Sequence, residues 1–291
     1  MALASFVRRV ALAAVLGLMA TPALAAEAEH PPKLDWPFAG PFGSYDQASV
    51  QRGFQVYKEV CAACHTLDHL SYRNLGEKGG PFVASGKFNP ATGSWEDVKL
   101  GPPHHGGRLI PAADNPYVRA LAAEYQITEI DPTTGQETTR PGRPSDKFVS
   151  PYTNPFQAKA THGVAPPDLS VITKARYDGA NYVHAILTGY TDPPAGEEPP
   201  GGAANLSYNR YFPGYWISMA APLSPERVIY ADGTEATVDQ MARDVVAFLS
   251  WAADPKETDR RRAGFAVLIY LAILTGLLYV AYRQVWRNVK H

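Results

Sequence analysis

Only two cysteines, Cys61 and Cys64, stand among the 291 residues, which excludes the disulfide framework of a small secreted scaffold. Positive charge is not in excess either: 27 Lys and Arg face 28 Asp and Glu, for a formal net charge of −1. Methionine is scarce, with four in the chain, and no internal repeat is present. Chain breakers, by contrast, are plentiful. The 24 glycines and 26 prolines exceed average usage, so loops should outweigh regular structure. At 45% apolar residues the chain can bury a core, and global disorder is excluded.

The near-neutral total hides an uneven distribution. Residues 26–255 carry 18 Lys and Arg against 26 Asp and Glu, a net −8, and the remaining basic residues sit at the two ends. A domain of that sign repels nucleic acid and attracts basic partners through a salt-screened field.

Both ends are apolar. Arg8 and Arg9, the run Val10 to Met19 and the small residues Ala23-Leu24-Ala25 form a secretory signal peptide over residues 1–25, with the mature chain starting near Ala26. Residues 263–282 carry no charged side chain over 20 positions, and at about 1.5 Å per residue they match the roughly 30 Å of a bilayer interior. This predicts one transmembrane helix after a polar hinge, 256–262, and before a short cytoplasmic tail, 283–291. Arg260, Arg261 and Arg262 on one side nearly balance Arg283, Arg287 and Lys290 on the other, so orientation follows from the leader: the acidic domain is exported and the C-terminus anchors it.

Within the exported domain, Val50, Phe54, Tyr57 and Val60 recur at helical spacing behind a cap at Asp46 or Ser44, and this helix runs into Cys61. Residues 76–155 read as a loop-rich insertion, punctuated by Gly79-Gly80-Pro81, Gly101-Pro102-Pro103 and Arg140-Pro141-Gly142. Inside it, Asn115-Pro116 opens a short helix and Gln126 to Thr139 suits a hairpin. A capping-box pattern, Thr237 and Gln240, precedes the stripe Met241, Val245, Phe248, Leu249 and Ala252, a helix that must stop at Asp254-Pro255.

Chemistry concentrates at Cys61-Ala62-Ala63-Cys64-His65. Two thiols at this spacing can form thioethers to the two vinyl groups of a haem, and the next residue presents imidazole to the iron. A thioredoxin-like pair would follow a strand and open a helix, whereas these thiols follow a helix. Zinc would require a second Cys or His pair, and a plain disulfide leaves His65 unexplained. The expected cofactor is therefore one covalent haem c, with His65 as proximal iron ligand. For the opposite face, Met1 and Met19 leave with the leader and Met241 belongs to a core stripe, so Met219, in an apolar loop, is the expected sixth ligand. His104, His105, His162 and His184 read as solvent or loop residues. Thioether opposite imidazole raises the haem potential and leaves no vacancy for oxygen or peroxide, the mark of an electron carrier. Trp216, Ile217 and Pro222 would supply an apolar surround.

With these residues in place the chain resembles the cytochrome c1 family, the membrane-anchored haem subunit of the cytochrome bc1 complex. The likeness runs from Gln51 through Cys61 to Tyr72-Arg73, from Pro166-Pro167-Asp168-Leu169-Ser170 to Tyr190, and from Met219 to Tyr282. It implies a mainly α fold: a class I cytochrome c-like domain with long Gly- and Pro-rich loops, plus one C-terminal transmembrane helix. In that fold the helix before Cys61 crosses the helix Val238 to Ala253, with Gly53 allowing close approach. It further implies that Arg176 and Tyr182 contact the haem propionates. His162 stands where relatives often carry asparagine and receives no ligand role, and no function is carried onto residues 76–155.

The implied function is that of an electron-transfer subunit without substrate chemistry of its own. It would take an electron from the Rieske iron-sulfur protein of a quinol-oxidising complex, beside cytochrome b and within a dimeric assembly, and pass it to a basic cytochrome c. Its place is the inner membrane of a bacterium, single-pass, with the haem domain in the periplasm. Glu197, Glu198, Glu226, Asp232 and Glu235, on either side of Met219 in sequence, would steer the acceptor. A haem enzyme or gas sensor in which Met219 dissociates, and a monohaem subunit of an oxidase or dehydrogenase, are the competing readings.

Overall fold

The computed structural model describes residues 28–288. The leader expected over residues 1–25 lies outside them, as do the last three residues of the expected tail. Helix α1, Gln47–Glu59, starts where the Asp46 carboxylate accepts the Ser49 N–H at 2.9 Å. Val50, Phe54 and Tyr57 are buried along one face, as their spacing requires, and Val60 serves as the C-terminal cap. Its counterpart, the second long helix of the domain, is Val238–Ala253, with Met241, Val245, Phe248, Leu249 and Ala252 all buried. The Thr237 hydroxyl accepts the Gln240 N–H at 3.1 Å. Only half of the expected capping box forms, because the Gln240 amide reaches forward to Asp244 at 3.0 Å instead of back to the cap.

These two helices touch backbone to backbone at Gly53. A Cβ there would fall 1.9 Å from the carbonyl oxygen of Asp244 and 2.8 Å from the Phe248 Cβ. The rings of Phe54 and Tyr57 each lie 5.6 Å from that of Phe248 and pack beside the contact. Asp244, with none of its side chain exposed, would be costly here without partners. It accepts two hydrogen bonds from Arg52, at 2.9 and 3.0 Å, and one from the Ser49 hydroxyl at 2.7 Å.

Shorter elements surround this pair. Helix α2, Pro116–Ala123, is capped by Asn115, and strands β4, Gln126–Ile130, and β5, Glu137–Pro141, form the antiparallel hairpin expected there. Helices α3, Pro155–His162, α4, Ile172–Ala175, and α5, Gly179–Thr188, follow, and α6 is the Val238–Ala253 helix. Residues 76–155 hold more regular structure than their glycines and prolines suggested. Strands β1, Ala84–Asn89, β2, Ser94–Leu100, and β3, Arg108–Leu109, make a three-stranded antiparallel sheet in the order β2-β1-β3. Burial is confined to Ala84, Ser85 and Gly86 at one end of β1, so these strands rest mainly on backbone pairing and leave little apolar alternation to read. A two-stranded ribbon, β6, Ser207–Tyr208, with β7, Trp216–Ile217, lies in the loop leading to Met219.

Most of the stretch expected as a polar hinge is helical. Helix α7 begins at Glu257 and runs unbroken to Trp286, 30 residues or about 45 Å. Its foot is gripped on several sides. The Tyr45 hydroxyl donates to Glu257 at 2.6 Å, Arg261 donates to the carbonyls of Phe38 and Gly43, and Lys78 pairs with Asp259 at 3.0 Å. Asp254 joins Arg260 at 2.5 Å and Lys174 at 2.7 Å. Beyond this foot the Phe265 ring meets that of Phe42 at 5.1 Å, and α7 then exposes an apolar surface that includes Leu268, Ile269, Ile273, Leu277 and Val280; it is long and apolar enough to cross a membrane.

Candidate haem-attachment site

The end of α1 sets the site. The chain leaves the helix in one 3₁₀ turn, Cys61–Ala63, and the N–H groups of Cys64 and His65 both donate to the Cys61 carbonyl, at 3.1 and 2.9 Å. Both thiols are unbridged and half-buried. Burial pushes the Cys61 thiol up to about 12. A thiol–disulfide exchange pair requires the opposite, a lowered value at a helix N-terminus.

His65 is oriented by a segment a hundred residues away. Its Nδ1 lies 2.8 Å from the carbonyl oxygen of Pro167, so the N–H on that nitrogen donates and Nε2 is left with its lone pair. Burial holds the imidazole below its ordinary pKa, against the pull of this hydrogen bond. The segment after Pro167 is strapped to the residues after His65: Leu169 N–H donates to Thr66 O at 3.0 Å and His69 N–H to the Ser170 hydroxyl at 3.1 Å. Asp168 folds the strap by accepting the N–H and hydroxyl of Ser170 at 2.9 and 2.7 Å.

Met219 is half-buried just past β7, and its carbonyl accepts the Tyr190 hydroxyl at 3.0 Å. Asn209, fully buried, ties the same loop to α5 by donating to Ile186 O at 2.8 Å and accepting Tyr211 N–H at 3.1 Å. Gly189 allows this closeness, since a Cβ there would meet the Tyr211 ring at 2.4 Å. Trp216, Ile217 and Pro222 are half-buried around the loop.

Arg176 is exposed at the end of α4, and Tyr182 is half-buried in the first turn of α5. Burial raises the tyrosine's pKa while the Arg176 charge lowers it, so the fold brings the two near one another. His104 and His105 are exposed, as expected. His184 is a correction: it is 4% exposed on α5, with Nε2 2.9 Å from Asp239, because the α5 face that carries Val183 and Ile186 packs on α6. His162, half-buried at the end of α3, hydrogen-bonds the Tyr152 hydroxyl, and its charge acts on His65. The Pro167 carbonyl, Asp168, Tyr190 and Tyr152 escaped sequence reasoning as site residues. Pro166-Pro167-Asp168-Leu169-Ser170 stood out only as a likeness, and nothing in its spacing tells which carbonyl faces His65.

The donor set fits a haem: paired thiols on one turn for two thioethers, and an imidazole whose Nδ1 is committed to the Pro167 carbonyl so that Nε2 keeps its lone pair for iron. A helix-led Cys-x-x-Cys-His turn of this kind defines a c-type haem attachment site. The profile of the Cytochrome C1 family matches residues 36–289. "Cytochrome c1 1, heme protein, mitochondrial" of Arabidopsis thaliana is 41% identical over 296 residues, covering 98% of this chain and 84% of that protein. Cytochrome c1 of Rhodospirillum rubrum is 38% identical over 273 residues, covering 89% and 88%. "Cytochrome b/c1" of Bradyrhizobium diazoefficiens is 39% identical over 280 residues, 89% of this chain, which spans only 36% of that longer protein. The chain belongs to the cytochrome c1 family, whose members carry one covalently bound haem c.

Proposed function

We propose that this chain is the membrane-anchored monohaem subunit of a quinol-oxidising bc1 complex, taking one electron from the Rieske iron-sulfur protein and passing it to a basic cytochrome c. The observation that carries this reading is the Cys61–His65 turn with its imidazole fixed by Pro167. Bound haem supplies one-electron redox chemistry. The chain's own residues attach it through Cys61 and Cys64, ligate its iron through His65 and Met219, and hold its propionates with Arg176 and Tyr182. With His65 and Met219 both holding the iron, the subunit would move electrons and perform no substrate chemistry.

The crossing of α1 and α6 at Gly53 supports a class I cytochrome c arrangement for residues 26–255, with 76–155 as an insertion carrying its own small sheet. The apolar, exposed surface of α7 supports a single membrane anchor over 263–282, and the leader expected over residues 1–25 supports export of the haem domain to the periplasm of a bacterium. Pairing with a cytochrome b draws support from the relative named for both b and c1. Assembly as a dimer follows from the proposed complex.

The test is direct. The purified chain expressed with a haem-attachment apparatus should stain for haem on a denaturing gel and show a low-spin reduced-minus-oxidised spectrum. Ser at both Cys61 and Cys64 should abolish the stain. A reduced haem of high spin that takes up carbon monoxide readily would refute the carrier in favour of an enzyme or sensor.

A further inference from the structure

Outside the haem-attachment turn and the Met219 loop, a pocket of about 330 Å³ opens between α2 and the end of β5, lined by Arg119, Ala123, Arg140, Pro141, Arg143 and Pro144. Its three guanidiniums differ in state. Arg140 is saturated, with Nε 2.7 Å from Glu129 and its two Nη atoms 2.7 and 3.0 Å from Asp146. Among the described residues neither the Arg119 nor the Arg143 guanidinium forms an ion pair, although the Arg143 charge acts on Asp146 nearby, in a domain where acids outnumber bases.

The frame of the pocket is rigid. The Gly142 N–H donates to Tyr125 O at 2.8 Å, and a Cβ on Gly142 would lie 2.4 Å from the Ala122 carbonyl oxygen, so the end of β5 is seated against α2. The Arg143 N–H donates to Asp146 at 2.6 Å, and the Arg73 N–H donates to Pro144 O at 2.6 Å. Pre-positioned backbone and proline walls spare a ligand the cost of ordering the site.

We propose that this pocket binds a phosphoryl dianion, with the Arg119 and Arg143 forks clasping its oxygens and Arg140 as a fixed wall. Two guanidiniums outside any ion pair supply positive charge for a phosphoryl group, Arg143 sharing part of its field with Asp146, and planar Arg forks match phosphate oxygens in geometry. The phosphoryl group does not fill the cavity, and Ala123, Pro141 and Pro144 offer an apolar wall to an organic portion. The ligand comes from the aqueous phase. Helix α1 starts beside the foot of α7, where Tyr45 meets Glu257, and about 20 Å further on Lys58 meets Glu124, next to Ala123, at 2.5 Å. The pocket thus lies at the end of α1 remote from the apolar helix.

Equilibrium dialysis of the detergent-solubilised, haem-loaded full chain against labelled inorganic phosphate at low ionic strength tests this. One saturable site is expected. The exposed changes Arg119→Gln and Arg143→Gln should each weaken it about tenfold and together abolish it, with haem spectrum and thermal melt unchanged. Should the double variant fold poorly, Arg119→Lys and Arg143→Lys keep the charge but lose the fork, and each should still weaken binding. Phenyl phosphate competing about tenfold better than inorganic phosphate assigns the site to an ester, and equal competition assigns it to phosphate itself. Absence of saturable binding up to ~10 mM, binding indifferent to the substitutions, or succinate competing better than phosphate would overturn the proposal.

Discussion

His65 and Met219 differ in how their roles are prepared. His65 receives its tautomer from a carbonyl fixed by an Asp168-centred strap, whereas Met219 is held through its own backbone by Tyr190, a contact that does not involve the sulfur proposed to bind iron. Replacing Met219 by Leu should therefore leave covalent haem and fold intact. The midpoint potential should fall by an appreciable fraction of the roughly 0.8 V over which axial ligands set haem potentials. Redox titration followed at the haem absorption measures it, and an unchanged potential would assign the sixth position to another residue. At this scale the sequence disclosed the chemically distinctive residues and hid the ordinary ones. A Cys-x-x-Cys-His run has few meanings, but the acceptor for His65 is a backbone oxygen, which every residue carries, so only the fold identifies Pro167.

Among the elements, the contact of α1 with α6 is the tightest in the domain, and Gly53→Ala tests it. The added methyl group would meet backbone, which has no rotamer to escape into, so a loss at the upper end of about 1–3 kcal/mol is expected in denaturant unfolding of the haem-loaded protein. The joint between α6 and α7 is electrostatic, and it should respond to acid. The hydrogen bond from Arg260, with Lys174 beside it, overcomes burial and lowers the Asp254 carboxyl from 3.8 to about 2. A carboxylate with a depressed folded-state value contributes its stability above the unfolded value. That contribution is complete above about pH 4 and is lost as pH falls toward 2. Comparison of wild type with Asp254→Asn should show a deficit of about 1 kcal/mol near neutrality that shrinks through this window, the size suiting a pair that still reaches solvent. Helices with a strong apolar stripe, α1 and α6, were legible to within a residue or two because burial wrote their period into the sequence. The sheet β2-β1-β3 was not, since its strands are mostly exposed, and neither was the helical character of residues 257–262, where charged side chains that suggested a polar hinge instead brace a helix.

At the scale of the whole molecule, the net −8 of residues 26–255 is the property a partner meets first. Glu197, Glu198, Glu226 and Glu235 are exposed and without ion-pair partners among the described residues, while Asp232, expected to join them, is taken by Arg52 at 2.9 Å. The second-order rate of electron transfer to a basic cytochrome c should fall about tenfold or more as ionic strength rises from about 0.01 to 0.3 M, as the screening length contracts. Stopped-flow mixing measures it, and a flat profile would remove charge from the encounter. The foot of α7 bears on that encounter in another way. The contacts of Tyr45, Arg261, Lys78 and Arg260 tie the base of this rod to the domain, so in the proposed complex they would oppose a swing of the domain between donor and acceptor. On the proposed reading the haem would be a fixed station on a mast, and whatever delivers or collects its electron would have to do the travelling.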